Sequence, residues 1–128
     1  MTIRVAHVAL WTPDIDRLCA FWTLAFGAEV GPLYQSRNRP GYLSRFLRFG
    51  DGAEIEVMSG PWVGPAFVAE AQGYAHVALS LGSKAAVDAL AERMRPHGAL
   101  KAAPRSTGDG FYEAILCDPD GNLIEITA

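Results

Sequence analysis

The chain carries the same short pattern twice. Ala6-His7-Val8-Ala9-Leu10 returns as Ala75-His76-Val77-Ala78-Leu79, and Asp51-Gly52-Ala53-Glu54-Ile55-Glu56 returns as Asp120-Gly121-Asn122-Leu123-Ile124-Glu125. The offset is 69 residues both times, and each His stands 49 residues before its Glu. Self-similarity of this kind restricts the fold to two copies of one supersecondary unit. A repeated unit alone would preserve apolar positions and turn residues. It gives no reason to keep a His and a Glu in register. Two imidazoles and two carboxylates are a natural ligand set for one divalent ion.

The local patterns support a repeated β-α-β-β-β order. Residues 3–11 are β-branched and apolar around His7 and read as a strand. Thr12-Pro13-Asp14 starts a helix, with Thr12 as the expected cap and Pro13 at the first helical position. Leu18, Phe21, Trp22 and Ala25 recur at helical spacing, and Gly27 stops the helix. Strands are expected near 28–35, 43–50 and 53–59, the last two joined at Asp51-Gly52. In the second half, a strand at 74–81 precedes a helix capped by Ser83 and ended by Gly98. Strands near 99–104, 111–117 and 122–127 follow, with Asp118-Pro119-Asp120-Gly121 as the final turn. The reading is one α+β domain over 1–128, with module one at about 1–60, a Gly/Pro-rich linker at about 61–73 and module two at about 74–128. Strand alternation sets His7 with Ala9 and Trp11 on one face, and Glu54, Glu56 and Met58 on another. The purely apolar faces should cover the helices. The His and Glu faces should then line a curved mixed-sheet cup around a metal site.

Composition narrows the function classes. Half of the residues are hydrophobic and the net charge is -3, which gives no general nucleic-acid surface. No stretch of about 18 apolar residues offers a membrane span, and the N-terminus enters a strand directly, so cytoplasmic residence is the expectation. Cys19 and Cys117 read as small buried residues rather than a disulfide framework. Nine of the eleven basic residues are Arg, and Arg37, Arg39, Arg45 and Arg48 lie close together. That cluster reads either as a solvated loop and strand edge or as a receptor for anionic substrate groups.

On the two His-to-Glu spacings and the DG-x-x-I-E and D-P-D-G-N-x-I-E-I strings, the chain resembles the vicinal oxygen chelate superfamily. This group includes glyoxalase I, methylmalonyl-CoA epimerase, fosfomycin-resistance proteins, extradiol dioxygenases and bleomycin-binding proteins. The resemblance implies two modules that build a metal cup, with ligands on the first and last strand of each: His7, Glu56, His76 and Glu125. A His-Glu-His-Glu set looks most like bacterial glyoxalase I, a lactoylglutathione lyase. The resemblance thus implies a metal-dependent lyase or isomerase that chelates vicinal oxygens of a small substrate, with Glu56 or Glu125 as the proton-transfer base. It also implies a homodimer whose metal site is shared between subunits. The expected cofactor is one divalent ion per site, nickel, cobalt, zinc, manganese or iron. Two positions depart from bacterial glyoxalase I: its glutathione-contacting Arg and Asn correspond to Trp11 and Gly60.

Glu54 shares a face with Glu56, but the repeat aligns Glu56 with Glu125 and Glu54 with Leu123. His97 follows Pro96 at a helix end and reads as a terminal or surface residue. Trp11, Tyr34, Arg37, Tyr42, Met58, Trp62, Phe67, Phe111 and Tyr112 are candidates for the substrate pocket, or for ordinary packing. A small-molecule binding or sequestration protein of the antibiotic-binding type, and a dioxygenase, are the alternative functions on the same scaffold.

Overall fold

A computed structural model describes residues 1–65 and 69–128. The chain divides between Ala66 and Phe67 into two compact units. The first contains β1 (His7–Trp11), α1 (Ile15–Phe26), β2 (Glu29–Val30), β3 (Tyr34–Gln35), β4 (Leu43–Arg48) and β5 (Glu54–Ser59). Its sheet has the order β1-β5-β4-β2, with β3 also pairing with β4. β1 and β5 run parallel, and the other pairs are antiparallel. The second unit contains β6 (His76–Ser80), α2 (Lys84–Met94), a 3-10 turn (Arg95–His97), β7 (Leu100–Ser106), β8 (Tyr112–Cys117) and β9 (Leu123–Thr127). Its order is β6-β9-β8-β7, again with only the first and last strands parallel. Each unit is a β-α-β-β-β module with its own mixed sheet, the second strand of the first module being split into β2 and β3, and the fold class is α+β.

Binary patterning explains why each sheet takes its helix on one face. In the first unit, α1 packs on β4 and β5. Its buried residues Leu18, Cys19, Trp22 and Ala25 belong to the same core as Leu47, Ile55 and Val57. In the second, α2 packs on β7, β8 and β9. Val87, Leu90, Ala91 and Met94 are buried, as are Ala114, Leu116, Ile124 and Ile126 of β8 and β9. These strand residues alternate with the half-buried Glu56 and Glu125, so the opposite sheet face carries the polar side chains. No helix among the described residues is long and apolar enough to cross a membrane.

Several boundaries differ from the sequence reading for local reasons. Residues 3–6 precede the ladder, and Ile3 and Val5 are exposed. The strand expected at 28–35 is broken. Gly31 N–H still donates to the Phe46 carbonyl at 2.8 Å, and Arg45 Nη1 donates to the Gly31 carbonyl at 2.8 Å. Pro32 then has no N–H to offer, so the strand resumes only at Tyr34. The cap of α1 is Asp14 rather than Thr12, because the Asp14 carboxylate accepts the Arg17 N–H at 3.0 Å. Thr12 is fully buried, and its hydroxyl accepts the Asp14 N–H. Ser83 caps α2 as expected, accepting the Ala86 N–H at 3.1 Å. Gly27 stops α1 in the left-handed region at φ 63°. α2 ends at Met94, and Gly98 (φ 70°) closes the 3-10 turn that follows. Cys19 is buried, whereas Cys117 is only half-buried.

Candidate metal-binding site

The two modules place their His and Glu by the same device. The parallel ladder sets Ala9 opposite Glu56 in the first sheet and Ala78 opposite Glu125 in the second. Alanine leaves the space above the ladder open. The carboxylate then reaches diagonally to the His two residues earlier on the neighbouring strand. His7 Nε2 stands 3.6 Å from Glu56 Oε1, and His76 Nε2 stands 3.0 Å from Glu125 Oε2. Both histidines are partly solvent-exposed and both carboxylates are more covered. The Glu54 carboxylate goes elsewhere: although Glu54 is the Cα partner of His7, it pairs with Arg48 Nε at 3.4 Å.

The donor chemistry fits a divalent ion. Nitrogen and oxygen ligands at about 2.1 Å from one ion, set at right angles, stand about 3.0 Å apart. The separations in the two modules match or slightly exceed that value. Each module supplies one such pair, and no group of three or more His, Cys, Asp or Glu suited to a metal occurs among the described residues.

A further carboxylate joins the second pair. Glu113 on β8 is buried and shares the sheet face of Glu125. Its interaction with the Glu125 carboxylate, ahead of burial, pushes the Glu113 carboxyl above its ordinary value, with Arg105 opposing. The sequence hinted at Glu113 only through its place in a strand whose next residues are apolar. β9 itself is anchored by the preceding turn. Asp118 is buried, and its Oδ1 accepts N–H bonds from Asp120 at 2.9 Å and Asn122 at 2.8 Å, while Oδ2 accepts from Asn122 Nδ2 at 2.9 Å.

Aromatic residues flank the first pair. The His7 imidazole meets the edge of Phe46, with centroids 5.4 Å apart. Trp11 shares the His7 face of β1 and makes edge contacts with Tyr42 and Trp62, both at 6.1 Å. Tyr34 packs edgewise on Tyr42. The Tyr42 hydroxyl donates to Glu56 Oε2 at 3.4 Å. Burial, followed by the Glu56 charge, raises the Tyr42 pKa, so the phenol stays a donor. Met58 is the Cα partner of Trp11 on β5.

The other pocket candidates are distributed differently. Tyr112 lies on the helix face of β8, where its hydroxyl donates to Asp88 of α2 and the Lys84 ammonium sits 5.3 Å from the ring centre. This removes it from the polar face that carries Glu125. Phe111 is exposed in the loop before β8. Phe67 lies outside the described residues. Arg37 is exposed and makes no hydrogen bond, ion pair or ring contact among the described residues. His97 is exposed in the 3-10 turn.

Residues 4–126 match the sequence profile of the glyoxalase/bleomycin resistance protein/dioxygenase superfamily. The chain belongs to this superfamily. It is 31% identical to an uncharacterized protein of Pseudomonas aeruginosa, over 99% of this chain and 89% of that one. A glyoxylase/bleomycin resistance protein/dioxygenase domain from Frankia superposes with a TM-score of 0.86 at 20% identity, covering 99% and 98% of the two chains. Maize glyoxalase I superposes with a TM-score of 0.78 at 24% identity, and the chain spans 44% of that enzyme's length. A fosfomycin resistance protein from Listeria monocytogenes gives 0.75 at 22% identity, over 100% and 94%. These structural likenesses establish the shared fold within the superfamily.

Proposed function

We propose that this superfamily member is a metal-dependent, glyoxalase-like lyase or isomerase acting on a small substrate with vicinal oxygens. The observation that carries the reading is the His–Glu pair built twice in one register, at separations suited to neighbouring ligands. His7, Glu56, His76 and Glu125 are the residues that would hold the ion. Nickel, cobalt, zinc, manganese and iron all accept such nitrogen and oxygen donors. The ion would supply Lewis-acid polarisation of the two substrate oxygens.

The chain's own groups do the rest. Glu56 or Glu125 accepts a proton from one substrate carbon and returns it to the next. Tyr42 steadies Glu56 through its hydroxyl, and Glu113 steadies Glu125. Trp11, Met58 and Trp62 line the approach to the first pair. Since one module offers two ligands, a complete set needs a first module and a second. We assign them to different chains of a homodimer, with both modules of a chain acting as one domain.

Three measurements on one preparation test this. Metal analysis of gently purified protein is expected to find one divalent ion per site, lost under chelator challenge in His76→Ala and Glu125→Ala. Size-exclusion chromatography is expected to show a dimer. Nickel- and zinc-loaded protein is then assayed on the methylglyoxal hemithioacetal and on glutathione-free dicarbonyls. Weak activity with glutathione is expected, because Trp11 replaces an Arg. Full metal retention by both variants would refute the ligand set. A monomer with full metal affinity would refute the shared site, and absence of metal would favour the sequestration reading.

A further inference from the structure

Among the described residues, one arginine of the first module has its guanidinium held by aromatic rings alone. The Arg39 guanidinium carbon lies 4.1 Å from the Trp62 ring centre, 5.7 Å from that of Trp11 and 5.8 Å from that of Tyr42. Its backbone is fixed on both sides: Arg39 N–H donates to Ser36 Oγ at 2.9 Å, and its carbonyl accepts the Tyr42 N–H at 3.1 Å. Among the described residues, no carboxylate or carbonyl takes a hydrogen bond from its guanidinium.

Aromatic contacts of this kind hold the cation while leaving its in-plane N–H groups able to donate. A guanidinium presents five such donors in a rigid fork that matches a carboxylate, and it stays charged at any working pH. The three rings cannot satisfy that fork. The location is equally specific. Tyr42 touches Arg39 with its ring and Glu56 with its hydroxyl, while Trp11 shares a strand face with His7. The held cation therefore stands one phenol away from the first His–Glu pair.

We infer that Arg39, clamped by Trp11, Tyr42 and Trp62, is a receptor for a substrate carboxylate. The substrate is then a small organic acid that carries vicinal oxygens at one end and a carboxylate at the other. This substrate class rests on the metal-site reading above, whereas carboxylate capture at Arg39 does not. The opposite use of the clamp, as a cage for a cationic substrate group, would require that group to displace a tethered guanidinium already seated there.

Binding of a non-chelating carboxylate to the chelator-treated full chain tests the receptor without involving any metal. The probes are benzoate, neutral benzamide and cationic benzylamine, followed by tryptophan emission, since Trp11 and Trp62 form the clamp. Benzoate is expected to change the emission saturably and benzamide to have no effect. Arg39→Ala should weaken benzoate at least tenfold. Arg39→Lys should weaken it several-fold, because an ammonium cannot form the two-point pair. Because every titration uses chelator-treated protein, failure of the receptor is separated from failure of the metal site. Absence of a saturable benzoate response, equal affinity in Arg39→Ala, or tighter binding of benzylamine than of benzoate would each overturn the proposal.

Discussion

Gly60 is where a single methyl group should disturb the aromatic clamp. A Cβ built on Gly60 would stand 2.6 Å from Cε2 of the Trp62 indole and closer still to Cζ2 and Cη2, well inside any real contact. The Gly60 backbone has no left-handed φ, so the conflict is with the ring alone. Trp62 is 43% exposed, and rotation of its side chain into solvent relieves the clash. That rotation forfeits the Arg39 contact, about 0.5–1 kcal/mol at an exposed site. It also forfeits the Trp11 edge contact, about 0.5–1.5 kcal/mol. Removing a glycine from the unfolded chain returns about 0.4–1 kcal/mol. Gly60→Ala should therefore destabilise by about 1 kcal/mol and move Trp62 emission to longer wavelength. In a Trp62→Ala background the same change should become neutral or stabilising, because only the unfolded-state effect remains. Denaturant unfolding of the four proteins in this cycle measures the sign change. An equal cost in both backgrounds, or unchanged stability and emission in the single variant, would refute the reasoning. An Asn at this position would displace the same ring.

Two further outcomes are expected elsewhere. Asp118→Ala removes the acceptor of three hydrogen bonds in the turn before β9 and should cost about 1–3 kcal/mol by denaturant unfolding, with Asp118→Asn costing less because one oxygen remains. Glu113 holds its proton more tightly in the fold than its ordinary value of 4.5 allows. Its contribution is complete below that value and is lost as pH rises through the raised folded pKa. With chelator present, Glu113→Gln should therefore gain in Tm relative to the parent as pH rises from 4.5 to 8, and parallel Tm profiles would contradict the raised Glu113 pKa.

What could be read from the sequence was mostly what repeats. Pairing of β4 with β5 follows from strand alternation and from the Asp51-Gly52 turn, and the same logic holds for β8 and β9 around Asp118 and Gly121. Glu56 and Glu54 could be told apart only by the internal alignment, and the structure adds Arg48 as the physical partner of Glu54. The missed features depend on contacts that have no period. Whether Thr12 or Asp14 caps α1 turns on which side chain is buried. The break after Gly31 comes from one missing N–H. Arg39 could not be separated from Arg37 by sequence because both sit in a polar loop. Among the described residues Arg39, and not Arg37, meets rings, supplied by β1, by the residue before β4 and by the turn after β5.

The position of β5 and β9 inside their sheets sets the order in which each module can be finished. The last strand of each module is an interior strand, bonded on one side to the first strand and on the other to its immediate predecessor. During synthesis, β1 must wait for more than forty residues before its partner β5 exists. Until then both β1 and β4 expose bare backbone edges, and closing the loop between them carries an entropic cost before any contact repays it. Glu56 and Glu125 arrive on that closing strand. A nascent or partly unfolded module therefore holds an imidazole without its carboxylate, and the paired donors appear only when the sheet itself is complete.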